Sequence, residues 1–446
     1  MISVNKRIKA GSVLAAVALV FTACSSSSKS APTTAASTTT AASTTTGAAS
    51  TASSTATTGS TATTGSTATT GSTATTGSTA TSDGSTTTSG STVSTGSSTS
   101  STGSTGADTG VTSAGISPAR CAANKAAGQI TYISSFDFSA SASIVDVSVA
   151  KKLGYFDKMC LNVILKPGFS TTNYPLIAAG TAQFSSAGNY TEILNNSGDG
   201  AEFEAVVDYG KTPIEALLTP AGGATTLAAL KGKTIGVKGD LPPSIVAMLA
   251  KAGLKRGTDY KEIQLKGFDP VAQLSSGIDA LPVYKSNEPG QLDTAGIKYQ
   301  LFDPTTDKIP GSFGLIYTSK QYAKDHPTVV ADFARAALRG MHDAISDIPG
   351  AVAISVDLIN GNGNANFLTS EGETYRWTQE SKTVTAGTPA GEPIGLIDPA
   401  LLSAEYSAYV DAGVWPKGAP VDGKDYDASI AKALYGPDGK VIWPTS

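Results

Sequence analysis

Several short apolar runs in this chain end in clusters of aromatic and hydrogen-bonding side chains. Ile130–Ile133 is followed by Ser134, Ser135, Phe136, Asp137 and Phe138. Phe184 is followed by Ser185, Ser186, Asn189 and Tyr190, and Val207 by Asp208, Tyr209 and Lys211. The Phe rings have the faces to stack on a planar molecule, and Asp137 can accept hydrogen bonds from its amino groups. The same residues have a plainer reading: the rings pack beneath their loop, and Ser and Asn cap the next helix. Both readings stand at this level. Other chemistry is poorly supported. The two histidines, His326 and His342, lie far from the three cysteines, and there is no C-x-x-C, so a zinc site is not expected. No G-x-S-x-G is present, and a Ser-His-Asp triad would have to use one of two histidines that fall outside these loops. Neither a catalytic residue nor a cofactor or metal is expected.

The elements that must position these clusters alternate between strand and helix. Ile130–Ile133, Leu161–Leu165, Ala182–Ser185, Ala205–Val207 and Glu215–Thr219 read as strands. Ile144–Leu153, Tyr174–Ala179 and Thr191–Asn195 read as the helices between them. A second unit starts at Leu230–Lys233, with strands at Thr234–Val237, Tyr260–Leu265, Ile278–Tyr284 and Tyr299–Phe302. Its helices are Ser244–Ala252, after Pro242 and Pro243, and Pro270–Ser275. A strand at Phe313–Thr318 and a long helix at Pro327–Ala344 return the chain to the first unit. This alternation predicts an α/β fold of two sandwiches, each with a mainly parallel sheet covered by helices.

The first quarter of the 446-residue chain is different. Between Ala31 and Ala107 it is nearly all Ser, Thr, Ala and Gly, with Asp83 as the one ionisable side chain. Such a stretch cannot bury enough apolar surface to offset chain entropy, and it predicts a disordered tether. Ahead of it stand Lys6, Arg7 and Lys9, the apolar run Val13–Phe21, and Thr22-Ala23-Cys24. The run is too short to span a bilayer and reads as a signal peptide. Its end resembles the lipobox of bacterial lipoproteins, with Phe21 in place of the commoner Leu. That resemblance implies cleavage before Cys24, diacylation of its sulfur, and anchoring on the extracytoplasmic face of the cell membrane. Cys121 and Cys160 then form an even pair in an oxidising compartment, where a disulfide is the natural expectation. A net charge of −4 with no basic stripe gives no reason to expect nucleic acid.

Six segments, in order, resemble the periplasmic solute-binding proteins of ABC importers, in the subgroup of SsuA-like sulfonate binders and THI5/NMT1-like pyrimidine binders. They are Ala150–Val163 (AKKLGYFDKMCLNV), with Cys160 at a usual glycine, Leu176–Phe184 (LIAAGTAQF), Leu230–Val237 (LKGKTIGV), Ser276–Ala280 (SGIDA), Tyr284–Pro289 (YKSNEP) and Tyr317–Val330 (YTSKQYAKDHPTVV). The resemblance implies a two-lobed periplasmic-binding-protein fold of type II, with two crossing segments and a small molecule held in the cleft. The division it suggests is a signal peptide at 1–23, an acylated cysteine and tether at 24–117, lobe 1 at 118–219, lobe 2 at 220–314, and the rest of lobe 1 with C-terminal helices at 315–446. Its implied partners are an ABC permease with its ATPase, and the protein is expected to work as a monomer. In THI5-like proteins the segment matching YKSNEP supplies a stacking ring and a carboxylate, which falls here on Tyr284 and Glu288, beside Asn287. The plainer reading makes Asn287 a helix cap and Pro289 a first-turn residue. The loop Lys238–Pro243 carries Asp240 and loses two N–H donors to proline. With Asp137 and Glu288 it predicts an acceptor-rich cleft for a neutral or cationic planar ligand, such as a thiamine-precursor pyrimidine or related vitamin. The alternatives are sulfonate, taurine or nitrate binding by the same fold, and a sensor module without a transporter.

Overall fold

Ten strands form two sheet systems, and their pairing decides which lobe each belongs to. The computed structural model describes residues 110–198, 200–362 and 369–445. The signal segment, Cys24 and the stretch up to residue 109 lie outside the described residues. The described chain begins with a small hairpin, β1 (Val111–Thr112) and β2 (Gly115–Ile116). Val111 is buried in the core and Thr445 N donates to Ser113 O at 2.9 Å. Residues ahead of the expected boundary at 118 thus pack with the folded body.

The first sheet holds β3 (Gln129–Ile133), β4 (Asn162–Lys166), β5 (Phe184–Ala187), β6 (Phe203–Gly210) and β12 (Phe313–Ser319), in the order β4-β3-β5-β12-β6. β3 runs parallel to β4 and β5, whereas β12 runs antiparallel to both of its neighbours. The expected mainly parallel sheet is thus mixed. The reason is topological, because β12 re-enters from the second lobe between two strands of the first. Alternation along β3 sends Ile130 and Tyr132 to one core and Ile133 to another, so both faces are covered. One face packs on the helices Val145–Lys152 and Pro327–Ser346, the other on Ser170–Ala178 and Tyr190–Asn196. The first two helices meet at Gly340, where a Cβ would lie 2.1 Å from the Asp146 carbonyl oxygen.

The second lobe holds β7 (Glu215–Pro220), β8 (Thr234–Val237), β9 (Lys261–Gln264), β10 (Leu281–Tyr284) and β11 (Tyr299–Phe302). β7 lies between β10 and β11 and is antiparallel to both; β8 and β9 form a parallel pair joined to β10's approach by the bridge Ile235↔Ala280. Pairing therefore puts Glu215–Pro220 in lobe 2, ahead of the 219/220 division read from the sequence. The crossings are residues 211–214 and 303–312.

Past residue 350 the helices Ser370–Gly387 and Pro399–Asp411 pack against the body. The second contributes Leu402 to a lobe 1 core and Tyr409 to a lobe 2 core, so it spans the two lobes. Cys121 and Cys160 form a disulfide, with Cα atoms 5.3 Å apart. Cys160 has φ 58°, a left-handed conformation that favours glycine. That accounts for the usual glycine at this point of the resembling segment.

Candidate ligand-binding cleft

A cavity of about 260 Å³ lies between the lobes, and a second of about 430 Å³ opens beside it. Six residues line both: Ser135, Phe136, Gly188, Lys238, Phe268 and Tyr284. The first three come from strand-end loops of lobe 1, the others from lobe 2. This is where an open α/β sheet places a ligand, beyond the carboxyl ends of its strands.

Three rings dominate the walls. Phe136 follows β3 and meets Phe169 edge-on, with centroids 5.7 Å apart. It meets Phe268, from the loop after β9, at 6.1 Å, also edge-on. Phe268 and Tyr284 are 47% and 45% exposed, high for large aromatic side chains that nothing covers. Ser186 Oγ accepts from Ser135 N at 2.9 Å and from Tyr132 Oη at 3.1 Å. It is buried, and it holds the Phe136 loop in place.

Charge in the cleft is more balanced than the sequence suggested. Glu288 begins the helix Glu288–Thr294; one of its oxygens accepts from Lys238 Nζ at 2.7 Å and the other from Tyr284 N at 2.9 Å. Asn287 does not cap that helix. Its Oδ1 instead accepts from Arg376 at 3.1 Å and from Gln291 at 3.1 Å. The Arg376 guanidinium is also held by both oxygens of Glu373, at 2.8 and 3.0 Å, and lies 6.0 Å from the Phe136 ring centroid. Glu380, two turns from Glu373 on the helix Ser370–Gly387, accepts from Ala142 N at 2.7 Å and from Ser286 Oγ at 2.8 Å. Burial pushes its carboxyl up to about 7, against the lowering effect of those two donors.

Of the residues singled out from the sequence, Phe136, Tyr284, Asn287 and Glu288 line the first cavity. Asp240 lines a smaller neighbouring cavity with Tyr284 and Glu288, but its side chain is fully exposed and 3.7 Å from Arg256. The others are placed elsewhere. Asp137 lines neither main cavity; its φ of 43° turns the chain, and its N–H donates to Gly168 O. Phe138 is buried with Ile144 and Ile359, the plainer reading. Asn189 caps its helix through Glu192 N at 3.0 Å, and its Nδ2 donates to Glu215 at 3.2 Å. Tyr190 is a core residue whose hydroxyl faces Asp422 at 3.3 Å. Asp208 is buried with Lys211 at 2.8 Å, and Tyr209 donates to Asp146 at 2.7 Å. Asp208 and Tyr209 are both buried within lobe 1, Tyr209 in its main core. His326 packs at a tilt against Tyr322 and His342 meets Tyr435 edge-on, and neither histidine lines the cavities.

Residues that carry much of the site were not singled out: Phe268, Arg376 and Glu380. Phe268 obeys the same strand-end rule as Phe136. Glu373, Arg376 and Glu380 have the spacing of one helical face, but nothing local ties that face to a cleft.

Two α/β lobes with two crossings and an aromatic-walled cleft define the periplasmic-binding-protein fold. Residues 142–349 match the family described as NMT1/THI5 like. A riboflavin-binding protein RibY of Chloroflexus aurantiacus is 31% identical over 135 residues, 29% of this chain. The matched stretch spans 37% of that relative's length. A solved structure of a Bordetella bronchiseptica RB50 protein has a TM-score of 0.50 at 19% identity, covering 68% of this chain and 96% of that one. The periplasmic sulfonate-binding protein SsuA of Methylobacillus flagellatus KT has a TM-score of 0.49 at 16% identity, covering 68% and 93%. At 19% identity the likeness to the first of these structures concerns the fold.

Among the described residues no helix is long and apolar enough to cross a membrane, and no group of three or more His, Cys, Asp or Glu side chains is arranged to hold a metal.

Proposed function

We propose that this protein is the extracytoplasmic solute-binding lipoprotein of an ABC importer, and that it captures a small planar heteroaromatic molecule by closing its lobes around it. One observation carries the ligand class: Phe136 from lobe 1 and Phe268 and Tyr284 from lobe 2 face a single cavity. Rings contributed by opposing lobes hold a flat molecule only while the lobes lie together, as the Phe136–Phe268 contact shows them, which couples binding to closure. The family match supports the transport role, and the name of the RibY relative supports an aromatic vitamin. A thiamine-precursor pyrimidine or a related vitamin fits this description. The signal peptide and the lipid on Cys24 belong to the same proposal. A tether of about 90 residues would let the binding domain range ~50–60 Å from the membrane and still reach its permease.

The decisive experiment is to denature the purified protein and identify released small molecules by mass spectrometry. A planar nitrogen heterocycle is the expected result. Release of an aliphatic sulfonate or a sugar in its place would refute the ligand class.

A further inference from the structure

The cleft contains two buried carboxylates, and they are not equivalent. Glu288 is neutralised by Lys238 at 2.7 Å. Glu380 lines the same cavity and is 6% exposed, yet among the described residues no cation lies within ion-pair distance of it. Its partners are one backbone N–H and one hydroxyl, Ala142 N and Ser286 Oγ, one on each oxygen. A carboxylate has about four acceptor positions, so two remain open. A buried, unneutralised acceptor beside a void is costly unless something enters to donate to it. Its helix lies beyond the residues 142–349 that match the family, so this group is an addition to the matched segment.

We propose that Glu380 is the selectivity residue of the cleft. Its carboxylate reads a ligand that presents two adjacent N–H donors, as an amidinium or a ring-protonated aminopyrimidine edge does, and it turns away sulfonates and other oxyanions. This rests on the planar-ligand reading above. The geometry suits the role in two ways. An N–C–N edge with two parallel donors matches the two oxygens of a carboxylate, as a guanidinium does. Glu380 also occupies the Ala142 N–H, a donor that an anionic ligand in this cavity would need, and places negative charge there. An imide edge, with acceptors on both sides of one N–H, would set oxygen against oxygen.

Ionisation of this carboxyl then sets affinity. Arg376 and Glu373 face it from its own helix, and Glu288, Lys238 and Tyr284 from lobe 2. Burial holds the carboxyl up at about 7, so it gains charge as pH rises through neutrality.

The test is calorimetry with four probes: benzamidine, which stays cationic throughout, 4-amino-5-hydroxymethyl-2-methylpyrimidine, riboflavin and ethanesulfonate. The parent is expected to bind benzamidine, and the aminopyrimidine with a proton on its ring nitrogen, and Glu380→Gln to lose about tenfold or more of the affinity for benzamidine. Benzamidine affinity in the parent should fall at least about tenfold from pH 8 to pH 5.5. If E380Q fails to fold, that parental pH profile decides alone, and a flat one overturns the proposal. Equal binding of benzamidine by parent and E380Q, or parental binding of riboflavin alone, overturns the role of Glu380 and leaves the planar-ligand reading standing. Binding of ethanesulfonate with none of the planar probes overturns both.

Discussion

The Lys238 ammonium lies 2.7 Å from a Glu288 carboxylate oxygen across the lobe 2 side of the cleft. This contact changes what the cleft can select. Glu288 is 2% exposed, so without Lys238 it would stand as a bare buried charge. With it, the pair forms a neutral wall, and the site's net preference passes to groups elsewhere.

Lys238→Met should therefore destabilise the fold by about 2 kcal/mol, because it leaves a buried carboxylate without its cation. The Lys side chain is partly exposed, so solvent moderates the loss. Urea denaturation at neutral pH measures it. The double variant K238M/E288M should recover most of the loss, since it removes both charges.

Tyr284→Ala should weaken ligand binding by about tenfold, from a ring contact worth about 1 kcal/mol plus lost apolar area. At 45% exposure the ring contributes little to folding, and stability should stay within about 0.5 kcal/mol of the parent. Unchanged affinity for the co-purified ligand would remove Tyr284 from the site.

Glu405 is buried between the lobes, accepting from Thr191 Oγ1 at 3.1 Å and from Ser312 Oγ, on the second crossing, at 2.6 Å. Burial pushes its carboxyl up to about 8, and that of Asp146 up to about 7. Both hold a proton in the folded state at pH values where the unfolded chain, titrating near ~4, has released it. Their stabilising effect is complete below about pH 4 and is lost as pH rises through 7 to 8. Melting temperature should accordingly decline over that range, and Glu405→Gln should flatten the decline. Parallel melting curves for parent and variant across pH would exclude this group as a contributor.

The Cys121–Cys160 bridge closes a loop of 39 residues. Chain entropy assigns such a loop about 4 kcal/mol. Reduction should lower the urea midpoint to match, and Cys121→Ser/Cys160→Ser should behave like the reduced parent. Equal midpoints with and without reductant would contradict this.

Cys24→Ser should release the protein from membranes into the soluble fraction. The parent's mature N-terminus should carry a diacylated cysteine by mass spectrometry, and an unmodified start elsewhere would rule out the anchor.

Local signals located nearly every element. Thr234–Val237 and Tyr299–Phe302 were readable to the residue, because short apolar runs between turn residues have few other uses. Which sheet a strand joins was not readable. Glu215–Pro220 follows lobe 1 strands in sequence but pairs with β10 and β11, a choice made by strands 60 to 80 residues away. The parallel character of the first sheet failed for the same reason at β12.

The cleft divides the same way. Phe136, Tyr284 and Glu288 were legible as lining residues because strand ends and helix starts concentrate at the cleft of an α/β fold. The charge state of the site was not legible. Lys238 reaches Glu288 across 50 residues, and Glu380 reaches Ser286 across 94. Sequence alone determined the alternating α/β plan and two rings of the aromatic wall, Phe136 and Tyr284, since each is written in local pattern. Tertiary structure alone decided which carboxylate is neutralised and which lines the cavity without a cation, because electrostatics in a buried cleft depend on through-space distances that chain order does not encode.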